Sequence, residues 1–139
     1  MNRKKLRQLA KQINYGKEIT IVFTFAPADQ FCFLSNSNTL EISSFYHLLD
    51  PLRIQVYLIH EIGHMQYYIE KPSIFVSDYT AEYEANRWSL YRLDELKWSA
   101  VQTEYEKYLY EISRMEIEEE LDEEYQEAAT DLLLELELA

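Results

Sequence analysis

Pro51 and Pro72 fence a stretch in which the chain has little choice but to form one long helix. Asp50 suits the N-cap, and Pro51 suits the first helical position, where a missing N–H costs nothing. At the other end Pro72 disfavours helix at Lys71, so the helix is predicted to run from Pro51 to about Glu70. Its middle reads His60-Glu61-Ile62-Gly63-His64 between apolar or uncharged flanks. Positions i and i+4 share a helix face, so His60 and His64 can present two imidazoles to one Zn²⁺. Glu61 lies one position round, beside such a metal but outside its ligand set, where a carboxylate can act as a base. Shuffling a chain of this composition would produce the spacing about once in a hundred trials. The bland alternative is two histidines satisfied by neighbours or solvent, with an ordinary surface glutamate between them.

A catalytic zinc needs a third protein ligand and an open position. Cys32 stands alone on a predicted strand and His47 precedes the helix, so neither is the natural candidate. The next helix, predicted from near Asp78 to about Lys97, offers Ala81-Glu82-Tyr83-Glu84-Ala85-Asn86. Packed against the first, it could deliver a carboxylate and complete a His₂Glu site. Glu82 and Asn86 share a face, and Asn86 could accept the far N–H of a ligand imidazole. Glu84 points elsewhere and suits a salt bridge. The competing reading makes Glu82, Glu84 and Arg87 a solvated helix face.

The rest of the chain reads as α+β. Residues 2–15 form a short helix capped by Asn2, with Leu6, Leu9, Ala10 and Ile13 on one face and Gly16 as its stop. Residues 18–25 are β-branched and aromatic, hence a strand. Phe31 to Leu34 and Thr39 to Ser43 flank a turn-forming Ser35-Asn36-Ser37-Asn38 and read as a hairpin. The expected sheet is small and antiparallel, with about three strands. Ser99-Ala-Val-Gln102 fits a capping box, so a third long helix begins there. Val101, Tyr105, Tyr108, Ile112 and Met115 form its apolar stripe. Glu118-Glu119-Glu120 interrupts the stripe, and Leu121, Tyr125, Ala128 and Leu132 resume it on a shifted face. Residues 1–100 are therefore expected to form the metal-binding domain, and 101–139 a long acidic helical extension packed on it or projecting from it.

His60-Glu-Ile-Gly-His64 followed by Glu82-x-Glu84-Ala85-Asn86 resembles the ImmA/IrrE family of zincin-type metallopeptidases, over roughly residues 19–93. The resemblance implies a sheet preceding a gluzincin-like catalytic helix, with His60, His64 and Glu82 as zinc ligands and Glu61 as the catalytic residue. It favours Glu82 over Glu84. It also implies limited proteolysis of a regulatory protein, typically a helix-turn-helix repressor encoded nearby on a phage or mobile element. The chain departs from the family in two places: Arg87-Trp-Ser-Leu-Tyr follows Asn86, and the acidic tail is no part of the family pattern.

Charge is unevenly spread. Residues 1–103 hold eleven acids and eleven Lys/Arg, whereas residues 104–139 hold fourteen acids against Lys107 and Arg114, which accounts for the net −12. Such a balance argues against direct nucleic-acid binding by the whole chain. No apolar run is long enough to span a bilayer, no signal region follows the basic N-terminus, and Cys32 has no disulfide partner, so the cytosol is the expected location. The tail has three readings: a solvated amphipathic helix, a surface holding a basic DNA-binding substrate or partner, or a DNA mimic. Leu132-Leu-Leu-Glu-Leu-Glu-Leu138 should dock within the monomer or between copies. Against the peptidase stands a non-catalytic binding or inhibitory protein on a zincin-like scaffold, acting through its acidic surface.

Overall fold

Asn2 starts α1 (Arg3–Ile13) by accepting the Lys5 N–H at 2.8 Å, and Leu6, Leu9, Ala10 and Ile13 bury the predicted face. Gly16 ends it in a left-handed conformation at φ +82°. The computed structural model describes residues 1–72, 76–118 and 120–136, the side chains of residues 120 and 121 excepted. Three short strands follow α1: β1 (Thr20–Thr24), β2 (Phe31–Leu34) and β3 (Thr39–Ser43).

The hairpin forms as expected, with β2 antiparallel to β3, but β1 pairs with β3 in parallel. The sheet is therefore mixed, in the order β1-β3-β2, rather than antiparallel. Burial explains the correction. Four of the five β3 residues are buried, so β3 takes the centre while the chain crosses from β1 to the far edge. That leaves β2 on an edge, and this edge lies against the next helix.

After a 3₁₀ turn (Tyr46–Leu48), α2 spans Pro51–Glu70, and Asp50 accepts the Leu52 N–H at 2.9 Å. Ile54, Val56, Leu58, Ile59, Ile62 and Met65 put the centre of the core on this helix. α3 (Asp78–Leu96) is capped by Ser77 and ends where Lys97 adopts φ +62°. That turn overrides the expected capping box. Trp98 becomes the N-cap of α4 (Ser99–Arg114), Ser99 is already helical, and no side chain caps the end.

The acidic extension is two helices rather than one. Met115 turns to extended backbone (φ −69°, ψ 157°), and α5 (Glu120–Glu135) runs back along α3 and α4. Tyr105, Leu109, Ala128, Ala129, Leu132 and Leu133 are buried, so the tail is seated on the body. Of the expected stripe, the side chain of Leu121 lies outside the described residues, as does Leu138 of the leucine-rich end. Among the described residues no helix is long and apolar enough to cross a membrane.

Candidate metal centre

The site lies where α2 meets α3, and one missing atom lets the two helices meet closely. A Cβ on Gly63 would sit 2.8 Å from the Ala85 carbonyl oxygen and 3.1 Å from Ser89 Oγ. Glycine therefore allows the backbones to approach, and Ser89 fastens the seam by donating to the carbonyls of Ala85 (2.7 Å) and Ile59 (3.2 Å). One helical turn of α3 before that contact, Glu82 faces the histidines of α2.

His60 Nε2 is 3.0 Å from Glu82 Oε2, and His64 Nε2 is 3.0 Å from Glu82 Oε1. The two Nε2 atoms are 3.1 Å apart. Ligand bonds of ~2.0–2.1 Å at tetrahedral angles would set donors ~3.3 Å apart, so three donors in this triangle fit one small divalent cation. Charge points the same way. Burial lowers the His60 pKa, but the Glu82 carboxylate outweighs it and lifts the imidazole to about 9. Burial would raise Glu82, yet His60 and His64 hold it well below the ordinary carboxylate range. The cluster is built to concentrate positive charge at one point, as a proton or as a metal ion.

The outer face of His60 is fixed as well. Its Nδ1 lies 2.8 Å from the Tyr105 hydroxyl, which donates to Asn86 Oδ1 at 2.7 Å. A phenol has one proton, and here Asn86 takes it, so the Tyr105 oxygen accepts from Nδ1–H of His60. The proton is thereby kept on Nδ1, and Nε2 is free for a metal. Asn86 thus bears on His60 both through Tyr105 and as a hydrogen-bond partner that helps raise its pKa. Tyr105 is fully buried on α4 and was legible in the sequence only as part of an apolar stripe. Its hydroxyl was the one available signal, since a buried phenol must find a partner.

Glu61 is placed differently from Glu82. Together with His60 and His64 it forms a group that can hold a metal ion, with one ligand atom from each within 4.8 Å of the others. However, its Oε2 accepts the Phe33 N–H from the edge of β2 at 3.0 Å. Glu82 is the carboxylate at contact distance from both imidazoles, and Glu61 lines the same cleft while held to β2. Burial pushes the Glu61 carboxyl up, with His64 and His60 pulling the other way.

Of the other residues weighed as ligands, His47 and Glu84 are engaged elsewhere, and Cys32 stays in the cleft. His47 Nδ1 lies 3.1 Å from the Ser44 carbonyl oxygen. Glu84 lines a separate cavity between α3, α4 and α5. The Tyr83 hydroxyl is taken by Glu135. Cys32 is exposed and lines the cleft on the β2 side, where Tyr67 and Tyr68 also lie. Tyr108 and Tyr125, from the acidic segment, line the cavity shared with His60, Glu61 and Glu82. Comparison with family models, with curated proteins and with solved structures gives no match.

Proposed function

We propose that this chain is a zinc-dependent metallopeptidase that makes a limited cut in a regulatory protein, of the repressor type that the ImmA/IrrE resemblance implies. The observation that carries the reading is the triangle of His60, His64 and Glu82 donor atoms at 3.0–3.1 Å, with Glu61 beside it. Two imidazoles and one carboxylate are a donor set that suits catalytic zinc and leaves a coordination position open.

Zinc, when bound, would supply the Lewis acidity that brings the pKa of a water to near ~7 and polarises a scissile carbonyl. The rest falls to the chain's own side chains. His60, His64 and Glu82 hold the ion, and Tyr105 keeps the His60 ring in the tautomer this requires. Glu61 takes the proton of the attacking water and hands it to the leaving amine. The Phe33 N–H holds one oxygen of that carboxylate at the edge of β2. Tyr108 and Tyr125 have raised pKa values, chiefly through burial, so their phenols stay protonated and can donate to a developing oxyanion.

Metal analysis of the purified chain tests this reading. About one zinc per chain is expected for the wild type, and none for His64→Ala. Glu61→Gln should keep its zinc while cleavage of helix-turn-helix regulators drops about 10²–10⁴-fold. Cleavage retained by Glu61→Gln would remove the mechanism. A chain that takes up no zinc would remove the peptidase and leave the acidic surface of residues 104–139 as the place of action.

A further inference from the structure

Arginines in the body of this acid-rich chain are matched by carboxylates. Arg53 lies 3.3 Å from Glu104 and 2.8 Å from Glu111, and Arg92 lies 3.6 Å from Glu95. The first seventeen residues are different. They hold Arg3, Lys4, Lys5, Arg7, Lys11 and Lys17 and no acid, and among the described residues none of the six forms an ion pair. Arg3 and Arg7 stand over one ring, 4.0 and 5.4 Å from the centre of Phe23. Lys4, Arg7 and Lys11 line a hollow of about 540 Å³ beside α1, where Glu18 is the only carboxylate among the described residues. Like charges gathered without counter-charge repel one another, and an anionic surface relieves that repulsion.

Three large apolar side chains stand beside these cations in water. Phe25 is 89% exposed, Leu48 71% and Phe45 42%. Hydrogen bonds fasten their loops together and to the start of α1. The Ser44 N–H donates to the Thr24 carbonyl at 2.7 Å, and the Ser43 hydroxyl to that of Ala26 at 2.6 Å. Arg3 reaches Ser44 Oγ at 3.5 Å, and the Tyr46 hydroxyl donates to the Met1 carbonyl at 3.0 Å. Phe25 and Phe45 are thus held next to the unpaired guanidiniums, and Leu48 ends the 3₁₀ turn that follows.

We infer that the start of α1 and these two loops form a docking face for an anionic phospholipid membrane. Phe25, Phe45 and Leu48 enter the headgroup region, and the Lys/Arg side chains of α1 meet the lipid phosphates. Neither signal holds a protein at a bilayer alone, and the two together do. The apolar side chains decide between polyanions. A nucleic acid, or the acidic α5 of a second copy, would satisfy the cations and leave these three side chains in water. A bilayer takes both. The acid excess of residues 104–139 lies in and around α4 and α5, which pack chiefly on α2, α3 and each other. An anionic surface therefore attracts one part of the chain and repels another, which fixes how the chain lies on it. This inference does not rest on the peptidase reading.

Flotation of the full chain with lipid vesicles tests it. Binding is expected to vesicles of equal parts phosphatidylcholine and phosphatidylglycerol and not to phosphatidylcholine alone. It should be lost in about 1 M salt, where the screening length is about 3 Å. Lys4→Ala, Arg7→Ala and Lys11→Ala together should weaken it about 100-fold, at about fivefold per charge. Phe25→Ser should weaken it about tenfold while thermal unfolding stays as in the wild type, because the ring is already in water. In Phe25→Trp the added indole should shift its emission to the blue on the anionic vesicles, beyond any change the wild type shows through Trp88 and Trp98. No binding to the anionic vesicles overturns the inference. So does Phe25→Ser binding like the wild type, or an indole at position 25 that shows no shift, since the face would then serve polyanions in general. Binding to duplex DNA as tight as to the vesicles, in the same buffer, overturns it too. The substituted residues lie outside the metal triangle, so every one of these outcomes leaves the peptidase reading where it was.

Discussion

Helix α3 is packed on two sides by different chemistry. Towards α2 it presents Glu82, Ala85, Asn86 and Ser89, a face where small residues bring backbones together and each polar group has a particular partner. Towards α5 the contact is apolar at its centre, with Ala128, Ala129, Leu132 and Leu133 buried. Its hydrogen bonds are at the rim, from the hydroxyls of Tyr79 and Tyr83 to Asp131 and Glu135. The first face is specified atom by atom. The second needs only apolar residues of about the right volume. A substitution of equal size should therefore do far more on the α2 side.

Tyr105→Phe probes the first face most sharply, because it removes one oxygen and leaves the ring. His60 Nδ1–H and Asn86 Oδ1 then lose their partner inside the protein. Stability should fall by about 1–3 kcal/mol in a denaturant titration. Metal affinity should fall about 10–100-fold in a chelator competition, as for other groups that orient a ligand histidine. Unchanged affinity would mean that His60 is oriented without the Tyr105 hydroxyl, by packing and Asn86. Next in size is Gly63→Ala. The added methyl meets the Ala85 carbonyl oxygen at 2.8 Å, so α2 and α3 must part, at about 1–3 kcal/mol. Because the ligands straddle the seam, metal affinity should fall with stability. A stable Gly63→Ala chain with intact metal binding would show the seam to be looser than its contacts imply.

A proton and a metal compete for the same triangle, and pH separates them. In the metal-free chain the folded His60 pKa, about 9, lies above the ordinary 6.5. Its contribution to stability is thus fully present below about pH 6.5 and is lost as pH rises through about 9. Glu82 has the opposite sign: with its pKa depressed, its contribution is present above about 4.5 and is lost as pH falls. Metal binding needs both imidazoles free of the proton at Nε2. The rise in Tm on adding zinc should therefore grow between about pH 6.5 and 9, by up to about tenfold in affinity per unit for one displaced proton. A gain that does not change with pH would mean that His60 carries no such proton.

What could be read from the sequence follows the same division. Asp50-Pro51 and Pro72 bound α2 because proline acts on its immediate neighbours, and the observed limits are Pro51–Glu70. His60 and His64 were visible because helical spacing turns sequence distance into a shared face, whereas Glu82, on the next helix, was singled out by the resemblance. Strand order was not, since β1 joins β3 across the intervening β2 and only burial of β3 selects that arrangement. Neither was the Tyr105 link, which joins residues 45 apart and looks in sequence like one more aromatic in a packing stripe. The expected cap at Ser99 failed for a local reason, the left-handed Lys97 two residues earlier, which made Trp98 the N-cap. The break at Met115 leaves no such mark beyond the acidic run that follows.

The smallest effect belongs to the α5 side. Tyr79 donates to Asp131 at 2.6 Å in an exposed setting, and Tyr79 and Tyr83 stack with ring centres 6.1 Å apart. Tyr79→Phe keeps the stack and loses only the hydrogen bond, so stability should fall by less than about 1 kcal/mol in the same titration. Metal affinity should stay where it was, because the triangle is held from α2, α3 and α4 and not from the rim of α5. Water can replace the lost hydroxyl at Asp131, whereas nothing in the protein replaces the one at Tyr105. A loss of metal in Tyr79→Phe would mean that the two faces of α3 are coupled, and that seating of the acidic helix sets the geometry of the site on the opposite side.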